Sequence, residues 1–240
     1  MPRYDLALEL RTLLKGASED LGVADLCFCY DICSPEPWRA RLKGRQSHLK
    51  SFAKRRQLFA SSDRAMSLWL RKTHCLAADG QGLFGLFQQR VYVWPESLLP
   101  TAVQRQMSKN GLAALVTLSF PCRDAEPLCA RFTLMLEQQS QVEMLQSRQD
   151  WVEARLLQLF GQIEDAYATR LNPLIDYNIV NPVSALILKG LALGQGRAQL
   201  SEQLNLTPRG IDYHVGQLKQ VLDASTIAQM MVHATRCRLV

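Results

Sequence analysis

The sequence predicts an α+β protein, with an N-terminal α/β/α sandwich around a mostly antiparallel sheet and a C-terminal all-α domain of four helices. Two observations support this. Alternating apolar and polar segments are mixed with helical patterns in the N-terminal part, whereas only helical patterns follow residue 182. The 240 residues, 48% of them hydrophobic, also suffice for two ordinary cores. We therefore expect a domain at 1–170, a linker at 171–181 and a second domain at 182–240.

The N-terminal domain is predicted to begin with a helix and a strand. Leucines near helical spacing from Leu6 to Leu21 predict an amphipathic helix that ends around Gly22. Period-two alternation predicts a strand at Asp25–Ile32. The remaining elements are helices within Ser47–Thr73, a loop at Gly80–Gly85, a strand at Leu86–Trp94, a helix at Ser97–Asn110, strands at Leu112–Phe120 and Leu128–Glu137, and a long helix at Ser140–Thr169. The apolar stripe of the long helix fits either core packing or a dimer seam.

Composition limits the class of protein. The densest apolar stretch, Gly111–Phe120, has roughly half of the about 20 residues that a membrane helix needs. The N-terminal residues show no secretory signal, so we expect a cytoplasmic protein with no membrane contact. Seven cysteines, mostly scattered, suit reduced thiols better than a disulfide framework.

Positive charge is concentrated in one segment. The net charge is +6, of which six Lys/Arg and three Asp/Glu after Asn178 contribute +3. Between Trp38 and Lys72 there are eleven Lys/Arg and a single acid, Asp63. This segment is either a solvated helical face or an electrostatic docking site for a polyanion or an acidic partner.

The C-terminal domain contains a predicted helix-turn-helix. A helix from Val183 ends at Gly194-Gln195-Gly196, and a second covers Ala198–Leu204. Asn205 follows, where a helix end needs a left-handed residue. Thr207 can cap a third helix, with Pro208 in its first position.

Packing positions complete this pattern. The third helix continues through Leu222, and Ser225 is expected to cap a fourth. A helix-turn-helix needs a small residue where its two helices cross, a conformationally permissive residue in the turn, and a branched apolar residue beneath the second helix. Ser201, Asn205 and Ile211 occupy these three positions. The sequence therefore predicts a DNA-binding helix-turn-helix, with a helical hairpin that binds nothing as the alternative.

The segment Val180–Met231 resembles the C-terminal domain of LuxR-family regulators without a gap. Asn181-Pro182 stands at the family's Thr-Pro start, and Gly194 at its Gly after the first helix. Leu204-Asn205-Leu206-Thr207 matches its Leu-Gly-Ile-Ser, and the segment from Pro208 to His214 corresponds to its Arg-Thr-Val-x-x-His. The resemblance implies a homodimer, formed through the last helix, that places the third helix in the major groove of double-stranded DNA.

Candidate DNA contacts follow from this resemblance. They are Thr207, Arg209, Asp212, Tyr213, His214, Gln217 and Lys219. The family often has Lys at the positions of Asp212 and Gly216, and these departures predict either weak DNA binding or an unusual sequence preference. His214 has a second interpretation, packing against the turn without touching DNA.

The N-terminal part resembles the family's acyl-homoserine-lactone-binding domain. Asp79 and Trp94 have the spacing of its ligand-binding Asp and following Trp. The family's Trp and Tyr donors would fall at Met66 and Leu70, neither of which can donate, although a shifted register brings in Trp69. Tyr30 is a further candidate ligand-binding residue. The alternatives are a different small acyl or apolar signal molecule, an apolar pocket with few polar contacts, or no ligand.

Other functions were weighed against this interpretation. Cys27, Cys29 and Cys33 suggest metal or redox sensing, but on a strand the first two share one face as small buried residues. The sequence has neither a phosphate-binding glycine loop nor a nucleophile elbow, so we expect no enzyme, metal or cofactor. The main rival is an interaction protein that forms inactive heterodimers with related regulators.

Overall fold

The computed structural model describes residues 3–34, 36–42, 57–70, 89–122, 124–167 and 170–240, and confirms the α+β class. Its elements, numbered in chain order over these residues, are α1 (Arg3–Leu21), β1 (Asp25–Ile32), α2 (Glu36–Arg41), β2 (Phe59–Ala60), α3 (63–70), β3 (Val91–Val93), α4 (Thr101–Lys109), β4 (Ala114–Pro121), β5 (Leu128–Leu136), α5 (Ser140–Ser147), α6 (Gln149–Tyr167), α7 (Pro173–Asp176), α8 (Pro182–Ala192), α9 (Arg197–Leu204), α10 (Pro208–Val221) and α11 (Ile227–Arg236). None of the described helices is long and apolar enough to cross a membrane.

The sheet has the order β2-β1-β5-β4-β3, and all of its pairs are antiparallel. In the central pair, Asp25 lies opposite Met135 and Ile32 opposite Leu128. Every residue of β1 and β5 is buried. Burial on both faces requires a helical layer on each side of the sheet, and the residues of β1 that alternate with its large apolar ones, two cysteines and two aspartates, are accordingly buried too.

Two helical layers cover the sheet, so the predicted sandwich is confirmed. One face, carrying Phe28 and Phe132, packs against α1 and α6. The other face, carrying Leu115 and Met135, packs against the apolar residues of α3 and α4. The apolar stripe of α6 is mostly buried within this single chain, which favours core packing, and Trp151 of the same stripe is 41% exposed.

A buried ion pair ties the sheet to the segment that follows α6. The guanidinium of Arg131 donates from Nε to Oδ2 of Asp31 at 3.0 Å, and both side chains are almost fully buried. The hydroxyl of Tyr177 donates to Oδ1 of the same carboxylate at 2.5 Å. Such a pair is stable only when its remaining hydrogen-bonding groups are satisfied, and Ser119 accepts a further bond from Arg131 at 2.7 Å.

The predicted linker, 171–181, is packed rather than loose. It contains the short helix α7, and its apolar residues Leu174, Tyr177 and Val180 are buried. The side chain of Asn172 caps α7 and donates to the backbone carbonyls of Cys237 and Arg238, at 2.9 and 3.0 Å. This segment therefore contacts both the sheet and the end of the chain.

Four local predictions need correction. The strand β2 lies inside the region predicted to be helical, because Phe59 and Ala60 pair with the edge of β1. The single long helix is two helices, broken at Arg148, whose φ and ψ of −114° and 24° leave the helical region. A 3-10 turn at Glu96–Leu98 precedes α4. The fourth C-terminal helix is capped by Thr226 rather than Ser225.

Candidate functional site

The turn between α9 and α10 has the predicted geometry. Asn205 adopts the left-handed conformation, with φ and ψ of 52° and 41°, and so ends α9. The hydroxyl of Thr207 accepts a hydrogen bond from the backbone N–H of Gly210 at 3.1 Å, and Pro208 occupies the first turn of α10. A capped start and a left-handed turn fix the direction in which α10 leaves α9.

The crossing of α8 and α9 depends on a glycine that the sequence analysis missed. A Cβ added to Gly190 would lie 2.4 Å from Cδ2 of Leu200, which is 1% exposed. Ser201, the small residue predicted for the different crossing of α9 and α10, is half-buried. A small residue in α8 opposite a leucine in α9 is the feature that identifies Gly190 as a packing position.

One face of α10 is buried and the opposite face is exposed. Ile211, Val215 and Leu218 pack into the core of the C-terminal helices. Of the candidate DNA contacts, Thr207, Arg209, Asp212 and Tyr213 are exposed, and His214, Gln217 and Lys219 are half-buried. Tyr213 is 58% exposed and adds a large aromatic side chain to this surface.

Two polar contacts organise this exposed face. Asp212 forms an ion pair with Arg197 at the start of α9, with 2.7 Å between Nε and Oδ1. His214 shares a hydrogen bond of 2.9 Å with the hydroxyl of Ser184 on α8, and its ring lies edge-on to that of Tyr213. The sequence analysis named neither Arg197 nor Ser184. An acid on the outer face of α10 was the only signal that a basic partner would be needed.

The C-terminal end of α10 contacts the rest of the chain. Lys219 donates to the backbone carbonyl of Ser225 at 3.1 Å. Gln220 donates to the backbone carbonyl of Arg41 in α2 at 3.2 Å. Gln217 lines a small crevice of about 80 Å³ with residues of the segment 178–181. Residues near the C-terminal end of α10 therefore contact other parts of the chain, whereas Arg209 and Tyr213 nearer its N-terminal end are exposed.

The candidate ligand-binding residues of the N-terminal part do not all lie in one place in the structure. Trp69 and Trp94 lie on the same buried face of the sheet, with Met66 packed against them. The indole N–H of Trp94 donates to the hydroxyl of Thr117 at 2.9 Å, and Leu70 is exposed. Asp79 lies outside the described residues.

Tyr30 lies on the opposite face of the sheet from Trp69 and Trp94. It packs beside Phe160, and its hydroxyl contacts the thiol of Cys122 at 3.4 Å. Residues two apart on a strand point to the same face of the sheet. Tyr30 therefore shares a face with Phe28, and Cys27 and Cys29 lie on the other face. Burial raises the pKa of Tyr30 well above its usual range. It therefore does not share a pocket with the two tryptophans.

The three cysteines in and just after β1 have surroundings that indicate a structural role. Cys27 and Cys29 are buried on one face, as predicted. Cys33 is half-buried, and a hydrogen bond from Cys129 lowers the pKa of its thiol. No group of three His, Cys, Asp or Glu side chains suited to a metal occurs among the described residues.

The basic segment is described only in part, because 43–56 and 71–88 lie outside the described residues. Within the described part, Arg64 forms an ion pair with the buried Asp25, with Nη2 and Oδ2 2.7 Å apart. Arg41 lies beside Trp38, with its guanidinium carbon 5.3 Å from the ring centroid. These two arginines contact their own chain.

No protein-family model matches the sequence, and no curated protein matches it. Among solved structures, the chain is similar to a crystal structure of SdiA from Escherichia coli, with a TM-score of 0.46, 13% identity, and coverage of 97% of this chain and 91% of that chain. It is also similar to SdiA in complex with octanoyl-rac-glycerol, with a TM-score of 0.44, 15% identity, and coverage of 96% and 88% respectively.

Proposed function

We propose that this chain is a DNA-binding transcription regulator of the LuxR type that reads double-stranded DNA with the exposed face of α10. The observation that carries the proposal is a helix with its apolar face buried and Arg209 and Tyr213 exposed, set by a capped, left-handed turn. The major groove of B-DNA, about 12 Å wide, admits one helix. Arg209, in the first turn of α10, is placed to contact phosphate or a guanine edge.

The ion pair between Asp212 and Arg197 supports DNA binding despite the acid on α10. A lone carboxylate beside phosphate would repel it, but Arg197 offsets this charge locally and adds a cation to the same face. Both side chains are more than half exposed, so the pair can open when DNA arrives. Asp212 could then accept a hydrogen bond from a cytosine amino group.

The regulator is proposed to act as a homodimer. Ile227 on α11 is 40% exposed although it is apolar, and the half-buried Met231 lies one turn later on the same side of the helix. A second copy of α11 would cover them, and a two-fold dimer would present two copies of α10 to a symmetric DNA site. For the N-terminal part, Trp69 and Trp94 mark the face on which a small acyl or apolar signal molecule would lie.

The alternative, an interaction protein that forms inactive heterodimers, is favoured by a different surface. Val183 and Leu186 on α8 and Leu193 directly after it are exposed and lie on one side of the helix. Such a stripe suits contact with a related protein. In that case the chain would bind its partner without binding DNA.

Selection from a pool of random duplexes separates the two functions. Full-length protein is incubated with the pool, bound DNA is recovered over several rounds, and Arg209→Ala serves as the matched control. DNA binding predicts enrichment of a site with two-fold symmetry by the natural chain and weaker recovery by the variant. Recovery of no duplex above background by the natural chain would contradict the proposal and favour the interaction protein.

A further inference from the structure

A cavity of about 370 Å³ lies where α2 meets the C-terminal helices. We call it the α2 cavity. Its apolar lining includes Trp38 from α2, Leu222 after α10 and Cys237 after α11, which are 2%, 1% and 6% exposed. Burial raises the pKa of the Cys237 thiol to about 11, so this group is neutral at pH 7. The cavity thus has an apolar floor built from two distant parts of the chain.

The polar lining carries a net positive charge, because it has two arginines and one acid among the described residues. Arg41, His233 and Arg236 line the cavity together with one acid, Glu126. Nδ1 of His233 donates to the backbone carbonyl of Leu222 at 2.5 Å, so a ligand would meet its Nε2. Arg41 has a distant carboxylate neighbour, Asp223, with 3.7 Å between Nη2 and Oδ2. Because that separation is long, the arginine retains hydrogen-bonding capacity for a closer anion.

Size and chemistry restrict what this cavity can hold. Ligand pockets usually have volumes of about 300–1,000 Å³, are mostly apolar with a few placed polar groups, and often lie between domains. A metal ion is a poor fit, because the His, Cys and Glu of the lining belong to no metal-binding group among the described residues. A DNA phosphate is a poor fit too, because it has no apolar part for the buried floor.

We propose that the α2 cavity binds a small apolar carboxylate, with its chain on Trp38 and Leu222 and its charged group between Arg41 and Arg236. A carboxylate accepts bidentate hydrogen bonds from guanidinium groups, and an apolar chain gains free energy by leaving water. This ligand would contact both the N-terminal part and the C-terminal helices. The proposal concerns a site separate from the exposed face of α10, and its outcome does not depend on DNA binding.

The test compares nonanoate with 1-nonanol, which has the same chain without the charge. Calorimetric titration of the full-length protein is expected to show nonanoate binding at least about tenfold more tightly. Replacing either arginine of the lining, the half-buried Arg41 as Arg41→Gln or the exposed Arg236 as Arg236→Gln, should weaken nonanoate binding about three- to tenfold. Glu126→Gln should tighten it, because it removes the only acid that lines the cavity among the described residues. The matched control is Lys189→Gln, an exposed cation on α8 outside the cavity, which should leave the affinity unchanged.

Opposite effects of Arg236→Gln and Glu126→Gln cannot arise from a loss of folding, since both residues are exposed. The proposal is overturned if nonanoate does not bind, if nonanol binds equally well, or if the arginine variants bind as the natural chain does. A diazirine analogue of nonanoate locates the site. Labelled peptides should come from 33–42 and 222–237, whereas labelling confined to the face of Trp69 and Trp94 would overturn the assignment.

Discussion

At the scale of single residues, Arg209 has the clearest expected effect. Arg209→Ala should weaken binding to duplex DNA and reduce the slope of log affinity against log salt by about one, because one phosphate contact releases about one counterion. Fluorescence anisotropy at several salt concentrations measures both quantities. Lys189→Ala removes the same charge from an exposed position on α8 and should have a smaller effect. Equal slopes for the natural chain and Arg209→Ala would remove Arg209 from the interface.

Asp212 gives a prediction of opposite sign. Asp212→Asn should tighten binding to non-specific duplex about two- to tenfold, because it removes a negative charge beside phosphate and releases Arg197 from its ion pair. The same anisotropy assay measures this change. Glu202→Gln makes the same change of charge on the exposed surface of α9. Equal tightening by the two variants would indicate a general effect of net charge rather than contact at Asp212.

At the scale of helices, the close approach of α8 and α9 depends on Gly190. Gly190→Ala should lower the free energy of unfolding by about 1–3 kcal/mol, because the new methyl group would overlap the confined side chain of Leu200. Chemical denaturation measures the change. In the matched variant Gly161→Ala the methyl group meets nothing within 4 Å, and it should stabilise α6 by about 0.5–1 kcal/mol. Stabilisation by both substitutions would show that α8 and α9 have room to separate.

Local chemistry explains which elements were predictable from sequence. The strand β1 was predicted with its observed bounds because its alternation and flanking turn signals agree. Asn205, Thr207 and Pro208 likewise have conformations dictated by their own residue types. The strand β2 was missed because two residues carry no periodicity, and its extended form comes from pairing with β1. The break at Arg148 was missed because no proline or glycine marks it.

At the scale of the whole molecule, the hydrogen bond between Tyr177 and Asp31 joins the segment after α6 to the sheet. Tyr177→Phe should lower the free energy of unfolding by about 1–3 kcal/mol, because it removes a buried donor to a charged acceptor. Chemical denaturation compares it with Tyr213→Phe, which removes a hydroxyl from an exposed ring. The control should change stability by less than about 0.5 kcal/mol. Equal stability of Tyr177→Phe and the natural chain would show that this bond contributes little.

Long-range contacts were beyond the reach of sequence reasoning. The polar residues and prolines of 171–181 suggested a linker, yet Asn172 and Tyr177 fix this segment to opposite parts of the molecule. Partners separated by more than sixty residues leave no periodic signal. Likewise, the separation of Tyr30 from Trp94 on opposite faces of the sheet became visible only in the folded chain. Arg197 and Asp212 are close in the sequence, but their pairing depends on how α9 and α10 pack.

Photo-crosslinking from position 213 tests the central claim most directly. Tyr213 is replaced by p-benzoylphenylalanine in the full-length chain, which is irradiated with a duplex recovered by selection. Leu8, 59% exposed on α1, carries the same label in the control. A helix α10 that faces the duplex should give a covalent adduct with DNA from position 213 and little from position 8. Adducts only within the protein from position 213, under conditions in which the DNA is bound, would show that α10 does not face the duplex.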